Sequence, residues 1–179
     1  MIDFDRLAHE VQEHGKPGWQ AIINHFGKEI LQPDGKINRI KLGDIVFTDR
    51  NKLIELNHIV HPLVFQEWHD RLKKISGKEK HAIILSDVPL LFEVNMQQFF
   101  DLTILVVIEP EEQISRLISR NKVCREEAQR RLNSQMPIGE KIALADVVID
   151  NQGSISKTEK KVRDVWLELL QREKQKNIH

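Results

Sequence analysis

The sequence has 179 residues, 40% apolar and 30% charged, the balance of a soluble globular domain rather than a disordered or fibrous chain. Lys plus Arg and Asp plus Glu both number 27, so no global field draws the chain to nucleic acid or to a membrane surface. A single cysteine, Cys124, excludes an internal disulfide and an all-cysteine metal site, and the longest apolar run is too short to span a bilayer.

The opening, "MIDFDRLAHE", puts Asp3 and Asp5 directly before an amphipathic pattern, so a strand-to-helix junction is expected there with a helix over 4–13. This start is acidic rather than basic and then apolar, unlike a secretory signal, so a cytoplasmic protein is expected. Helical periodicity returns at 18–31 and 38–47, separated by "HGKPG" and by the turn "PDGK", where Gly35 can take positive φ. Two further helices are predicted at 50–60 and 62–76, with Pro62 in a first helical turn. The period then changes. "HAIILSDV" (81–88), "LTILVVI" (102–108) and "DVVID" (146–150) are short continuous apolar runs, as in strands buried on both faces. Helical patterns at 110–120, 124–134 and 137–145 lie between the last two, and another covers 156–174.

Strands alternating with helices predict an α/β fold with a parallel sheet, and ligands in such sheets sit at the carboxyl ends of the strands. That rule points to Asp3 and Asp5, to Asp87 and the residues after it, to Glu109, and to Asp150 with Asn151. The helix-rich stretch before the second strand is too long for a simple crossover and reads as a helical subdomain, 14–80.

Three segments could carry chemistry. In "SDVPLLFE" an acidic strand end resembles those that hold Mg²⁺ in phosphate-transfer folds, although leucines filling a core explain the spacing equally well. In 110–135, Arg116 and Arg120 share one helical face, and Arg131 with Gln135 repeats the spacing on the next helix. Six Lys or Arg stand against two Glu between Arg116 and Arg131, which suits a lid closing over phosphates or, just as well, a solvated face of Glu–Arg pairs. In "ALADVVIDNQGS", Asn151 could meet a nucleobase edge or simply cap a turn. His58 and His61 lie i, i+3, but a zinc site needs further ligands that no other histidine spacing offers.

The order of these motifs resembles the dephospho-CoA kinase family of P-loop kinases. Asp3-Phe4-Asp5 through Ala8-His9 looks like the family's "DAD…AR/H"; Gly35, Ile37, Arg39, Leu42, Val46 and Phe47 follow its "G.L.R..L...VF". His61-Pro62-Leu63-Val64 matches "HP.V", Pro89 to Glu93 matches "PLLFE", and Gln113, Arg116, Arg120, Arg131 and Gln135 match its lid. Glu140, Lys141, Ala145, Asp146, Val148 to Asn151, Gly153 and Ser154 follow "EK…AD.VIDN.GS". The resemblance implies a P-loop kinase-like three-layer α/β fold in a single domain over 1–179, with a helical CoA-side subdomain and an arginine lid at 112–140.

It further implies ATP-dependent phosphorylation of the ribose 3′-hydroxyl of dephospho-CoA, the last step of coenzyme A synthesis, with Mg²⁺ accompanying ATP. Asp5 would be the general base, Asp3 its neighbour, and Arg116 and Arg120 the catalytic cations. On the acceptor side the implied residues are His9, Arg39 and His61, then Leu90, Leu91, Glu93 and Lys141. Arg120, Arg131 and Asn151 would contact the nucleotide. The family begins with a strand and "GLTGGI.SGKS", whereas this sequence contains no G-x-x-x-x-G-K-[ST]. The expectation is therefore a chain that starts inside the family's second strand, without the phosphate loop that is the main Mg²⁺ and ATP ligand, and barely active alone. Its rival is a non-catalytic CoA- or nucleotide-binding remnant. A nucleic-acid-binding module built on the basic cluster is disfavoured by zero net charge and the absence of tyrosine.

Overall fold

The computed structural model describes residues 1–176, in which the chain forms two compact units, Met1–Pro89 and Leu90 onward.

In the first unit, strand β1 (Ile2–Asp3) runs straight into helix α1 (Phe4–Glu10). Asp3 starts that helix: its Oδ1 accepts the Arg6 N–H at 2.9 Å, supplying one of the donors a helix start leaves open with a partner. Helix α1 buries Phe4 and Leu7, three residues apart on one face. It ends three residues earlier than its sequence pattern suggests, and the chain turns through Gly15 into helix α2 (Pro17–Phe26), with proline at the first helical position. Gly18 lets the two segments touch, since a Cβ there would lie 2.3 Å from the Val11 carbonyl oxygen. The expected helix over 18–31 stops at Phe26 because Gly27 takes φ +87°, and a 3-10 turn, Lys28–Ile30, comes next.

Helices α3 (Arg39–Thr48) and α4 (Arg50–Ser76) are capped by Asn38 and Asp49, whose side chains accept the N–H groups of Lys41 and Asn51. The two helices predicted at 50–60 and 62–76 are one. Pro62 removes one backbone donor, yet Val60, Val64 and Trp68 continue a single buried stripe through it, and α4 packs on α1, α2 and α3. Tertiary packing outweighs the proline.

Strand β2 (Ser86–Asp87) pairs in parallel with β1, Ile2 opposite Ser86 and Asp3 opposite Asp87. The predicted strand over 81–88 shrinks to two residues because β1 offers only two residues to pair with, and the 82–85 backbone is irregular.

In the second unit, β3 (Ile104–Val107) and β4 (Val147–Asp150) pair in parallel over four residues each. Helices α5 (Pro110–Asn121), α6 (Arg125–Asn133) and α7 (Ile138–Leu144) connect them, and α8 (Ile155–Lys176) comes after β4. Among the described residues the strands thus form two separate two-stranded parallel sheets, where the sequence suggested one. Helix α6 packs chiefly on α5, α7 on β3, and α8 on β4.

The starts of β3 and β4 are clamped by a reciprocal pair. Buried Thr103 gives both its N–H and its hydroxyl to Asp146 Oδ2, each at 2.7 Å, and its Oγ1 accepts the Asp146 N–H at 3.1 Å. The Thr103 hydroxyl first, then its N–H, lower the Asp146 pKa below the ordinary 3.8. A carboxylate with a depressed folded-state pKa stabilises the fold above its unfolded value and loses that contribution as pH falls through the lower one. Thr103→Val should therefore cost about 1–2 kcal/mol near neutral pH and flatten the loss of stability below about pH 4, in urea titrations across that range. A variant with the parent's stability and acid slope would show that the pair does not clamp the strands.

Candidate active site

In the first unit the carboxyl ends of β1 and β2 bring acidic groups together. Asp3 and Asp87 are register partners, and Asp5 lies in the first turn of α1. The structure separates the roles of the two N-terminal aspartates. Asp3 is half-buried and spends an oxygen on the helix cap; Asp5 is exposed and makes no hydrogen bond or ion pair among the described residues. The helix begins at Phe4, so the cap position belongs to Asp3 and not to Asp5. His9 lies one turn beyond Asp5 on the same exposed face, opposite the buried Leu7.

This face is held by an ion-pair relay that the sequence pattern does not reveal. Arg71 of α4 binds Glu10 across the helices and Glu67 at 2.9 Å within its own, and Arg6 reaches Glu10 at 2.8 Å. Burial alone would raise the Glu10 pKa, but the hydrogen bonds from Arg6 and Arg71 outweigh it and hold it low. Arg6–Glu10 and Glu67–Arg71 are legible as i, i+4 pairs; the joint between them needs the packing of α1 on α4. Arg39 stands exposed in the first turn of α3, and His61 lies on the outer side of α4. Desolvation by the surrounding protein, and then the His58 ring, lower the His61 pKa, favouring neutral imidazole.

In the second unit, Leu90 is exposed, Leu91 half-buried and Phe92 buried, so the Pro89–Glu93 motif presents a partly apolar edge. Glu93 Oε1 meets Lys141 Nζ at 2.5 Å and accepts the Met136 N–H at 3.2 Å. Burial opposes ionisation of Glu93, but Lys141 and backbone donors outweigh it and lower its pKa. Arg116, Arg120 and Arg131 are all exposed. Arg116 and Arg131 pair with Glu112 and Glu127 at 2.9 Å, one turn away, while Arg120 Nε donates to Asn121. Gln135 lies beyond α6, its N–H on the Leu132 carbonyl, so it does not continue the face of Arg131. Exposed i, i+4 pairs of this kind are worth about 0.3–0.5 kcal/mol and release their arginines at little cost.

Asn151 lies directly after β4. Its Oδ1 accepts the Thr158 hydroxyl at 3.0 Å, and it lies beside a shallow groove lined by Ile155, Thr158, Val162 and Trp166. Among the described residues no group of three or more His, Cys, Asp or Glu is placed to hold a metal ion, and no helix is long and apolar enough to cross a membrane.

A model of the dephospho-CoA kinase family matches residues 1–157. The dephospho-CoA kinase of Syntrophus aciditrophicus (strain SB) is 47% identical, over 97% of this chain and 74% of that protein. The one from Carboxydothermus hydrogenoformans is 45% identical, over 99% of this chain and 84% of its own length. Among solved structures, a Thermus thermophilus protein superposes with a TM-score of 0.75 at 30% identity, over 94% of this chain and 83% of its own. The dephospho-CoA kinase from Campylobacter jejuni gives 0.70 at 25% identity, over 95% and 84%.

Proposed function

The chain belongs to the dephospho-CoA kinase family, and from that premise we propose that it serves ATP-dependent phosphorylation of the ribose 3′-hydroxyl of dephospho-CoA, completing coenzyme A. The observation that carries this reading is the family match over 1–157, which spans Asp5, the Pro89–Glu93 motif and the arginine hairpin α5–α6 in one order. In the reaction the 3′-oxygen forms a bond to the γ-phosphorus, the bond to the ADP oxygen breaks, and the hydroxyl proton goes to Asp5. Its free, exposed carboxylate suits that task better than Asp3, which is engaged in the cap. Asp3 orients the groups beside it.

Arg116 and Arg120 neutralise charge on the migrating phosphoryl group, and Arg131 with the Asn151 amide serves the nucleotide. His9, Arg39 and neutral His61 recognise the acceptor, together with the apolar edge of Leu90 and Leu91 and the Glu93–Lys141 pair. Mg²⁺ arriving with ATP would screen the phosphate charge. The residues present suit it only through single carboxylates at Asp3, Asp5 and Asp87, as fits an ion held mostly by phosphate and water. The single cysteine suits a cytoplasmic setting.

A second reading, binding without transfer, is favoured by one feature: these 179 residues contain no G-x-x-x-x-G-K-[ST] to cradle phosphates. Calorimetry on the 179-residue chain tests both sides. Dephospho-CoA should give a saturable binding heat and ATP a weaker one, because the acceptor residues are all present. Tight ATP binding with no response to dephospho-CoA would overturn the assignment of the two sides. Sustained CoA formation by this chain would dismiss the binding-only reading.

A further inference from the structure

We propose that Glu93 is the post on which the arginine hairpin α5–α6 is hung, and so a positioning residue for Arg116, Arg120 and Arg131. The inference rests on the reading of that hairpin as the phosphate-facing arm. The chain enters and leaves the hairpin at two places. One is Pro110, three residues after β3; the other is the short exit Ser134–Pro137 before α7. Between them, the pairs made by its arginines stay inside the hairpin: Arg116 with Glu112, Arg131 with Glu127, and Arg125 of α6 with Glu111 of α5 at 2.7 Å. The last of these ties the two helices into one body, and α6 packs chiefly on α5. The other two leave the guanidinium groups available at small cost.

What fixes the exit is Glu93. A single oxygen, Oε1, takes both the Met136 N–H, in the exit itself, and the Lys141 ammonium, one turn into α7. Lys141 is only 8% exposed, so its charge has a strong need of this carboxylate, and α7 in turn packs on β3. Pro137 lies between the two donors and stiffens the link with its fixed φ. The chain that carries Glu93 is held in shape by Asn95, in the left-handed region at φ 54°, and then by the 3-10 turn Met96–Phe99.

The second carboxylate oxygen, Oε2, is buried and without a hydrogen-bond partner among the described residues. A buried acceptor left open opposes folding, and the two bonds to Oε1 offset it.

The test replaces the post by apolar groups of similar length, in the double variant Glu93→Leu/Lys141→Met, which leaves no buried lone charge and can fold. Amide hydrogen exchange on the 179-residue chain should quicken by about tenfold at 134–138, the loss expected for one hydrogen bond, with the urea midpoint held. In the transferring enzyme kcat should fall by roughly tenfold to a hundredfold. Unchanged exchange at Met136 would overturn the proposal. So would loosening that spreads through β3 and β4 with a lower urea midpoint, since that marks a merely structural pair. Because exchange needs no turnover, failure of the parent to make CoA would count against the proposed reaction and leave the post standing.

Discussion

Asp5→Asn should lower kcat for CoA formation by roughly 10²–10⁴ while the fold and the binding of dephospho-CoA survive. The measurement needs a form of the enzyme in which the parent turns over. A ribose hydroxyl is a poor nucleophile at neutral pH, and a carboxylate within hydrogen-bond reach assists its deprotonation. Asparagine keeps the size and one acceptor oxygen of the side chain but cannot take the proton. The structure sharpens the contrast, because the cap of α1 is Asp3 and not Asp5. Asp5→Asn therefore leaves the cap intact, whereas Asp3→Asn replaces one good capping residue by another and should change stability by less than about 1 kcal/mol. Asp3→Asn should also slow turnover far less. If the two variants lose turnover equally, the division of labour between these aspartates is wrong; if Asp5→Asn stays within a few-fold of the parent, Asp5 leaves the mechanism.

How much of this is legible in the sequence depends on the range of the interaction involved. Helix starts set by one residue's own side chain can be located to within a residue, as at Asn38 and Asp49. At the N-terminus "DFD" offers two capping residues, and the backbone bond to Arg6 selects Asp3. Pro62 reads as a boundary locally, and only the packing of Val60, Val64 and Trp68 on three other helices carries α4 through it. The run "HAIIL" has strand composition, yet strand length is decided by the partner, and β1 pairs only two residues. At the candidate site, Glu93 and Lys141 both stand out in separate motifs. Their mutual pairing does not, because nothing in either motif specifies a partner that distant in the chain. The charge cluster at 116–131 reads as basic in composition but is largely balanced in space by Glu111, Glu112 and Glu127.

The largest stability effect should come from Trp68, the residue that joins the first unit's core to its acidic strand ends. It is 3% exposed and tilts against Phe4 of α1 at 5.8 Å and Phe65 of its own helix at 5.3 Å. Its indole N–H donates to Ser86 Oγ in β2 at 3.1 Å. One side chain thus fixes α4 against the start of α1, where Asp3 and Asp5 lie, and against the strand that ends in Asp87. Trp68→Ala removes the ring and leaves a cavity between three elements, so a loss of about 3–5 kcal/mol is expected in urea unfolding. Against a total stability of about 5–15 kcal/mol for an ordinary domain, that is a large fraction. Trp68→Phe retains most of the packing and should cost far less, with about 1 kcal/mol of it due to the lost bond to Ser86. A double-mutant cycle with Ser86→Ala isolates that bond: in the Ser86→Ala background the N–H component of Trp68→Phe should vanish. Additive losses in the cycle would show that the indole N–H does not hold β2. A cost below about 1 kcal/mol for Trp68→Ala would show that the α1–α4–β2 junction is secured by the Arg71–Glu10 relay and its neighbours instead.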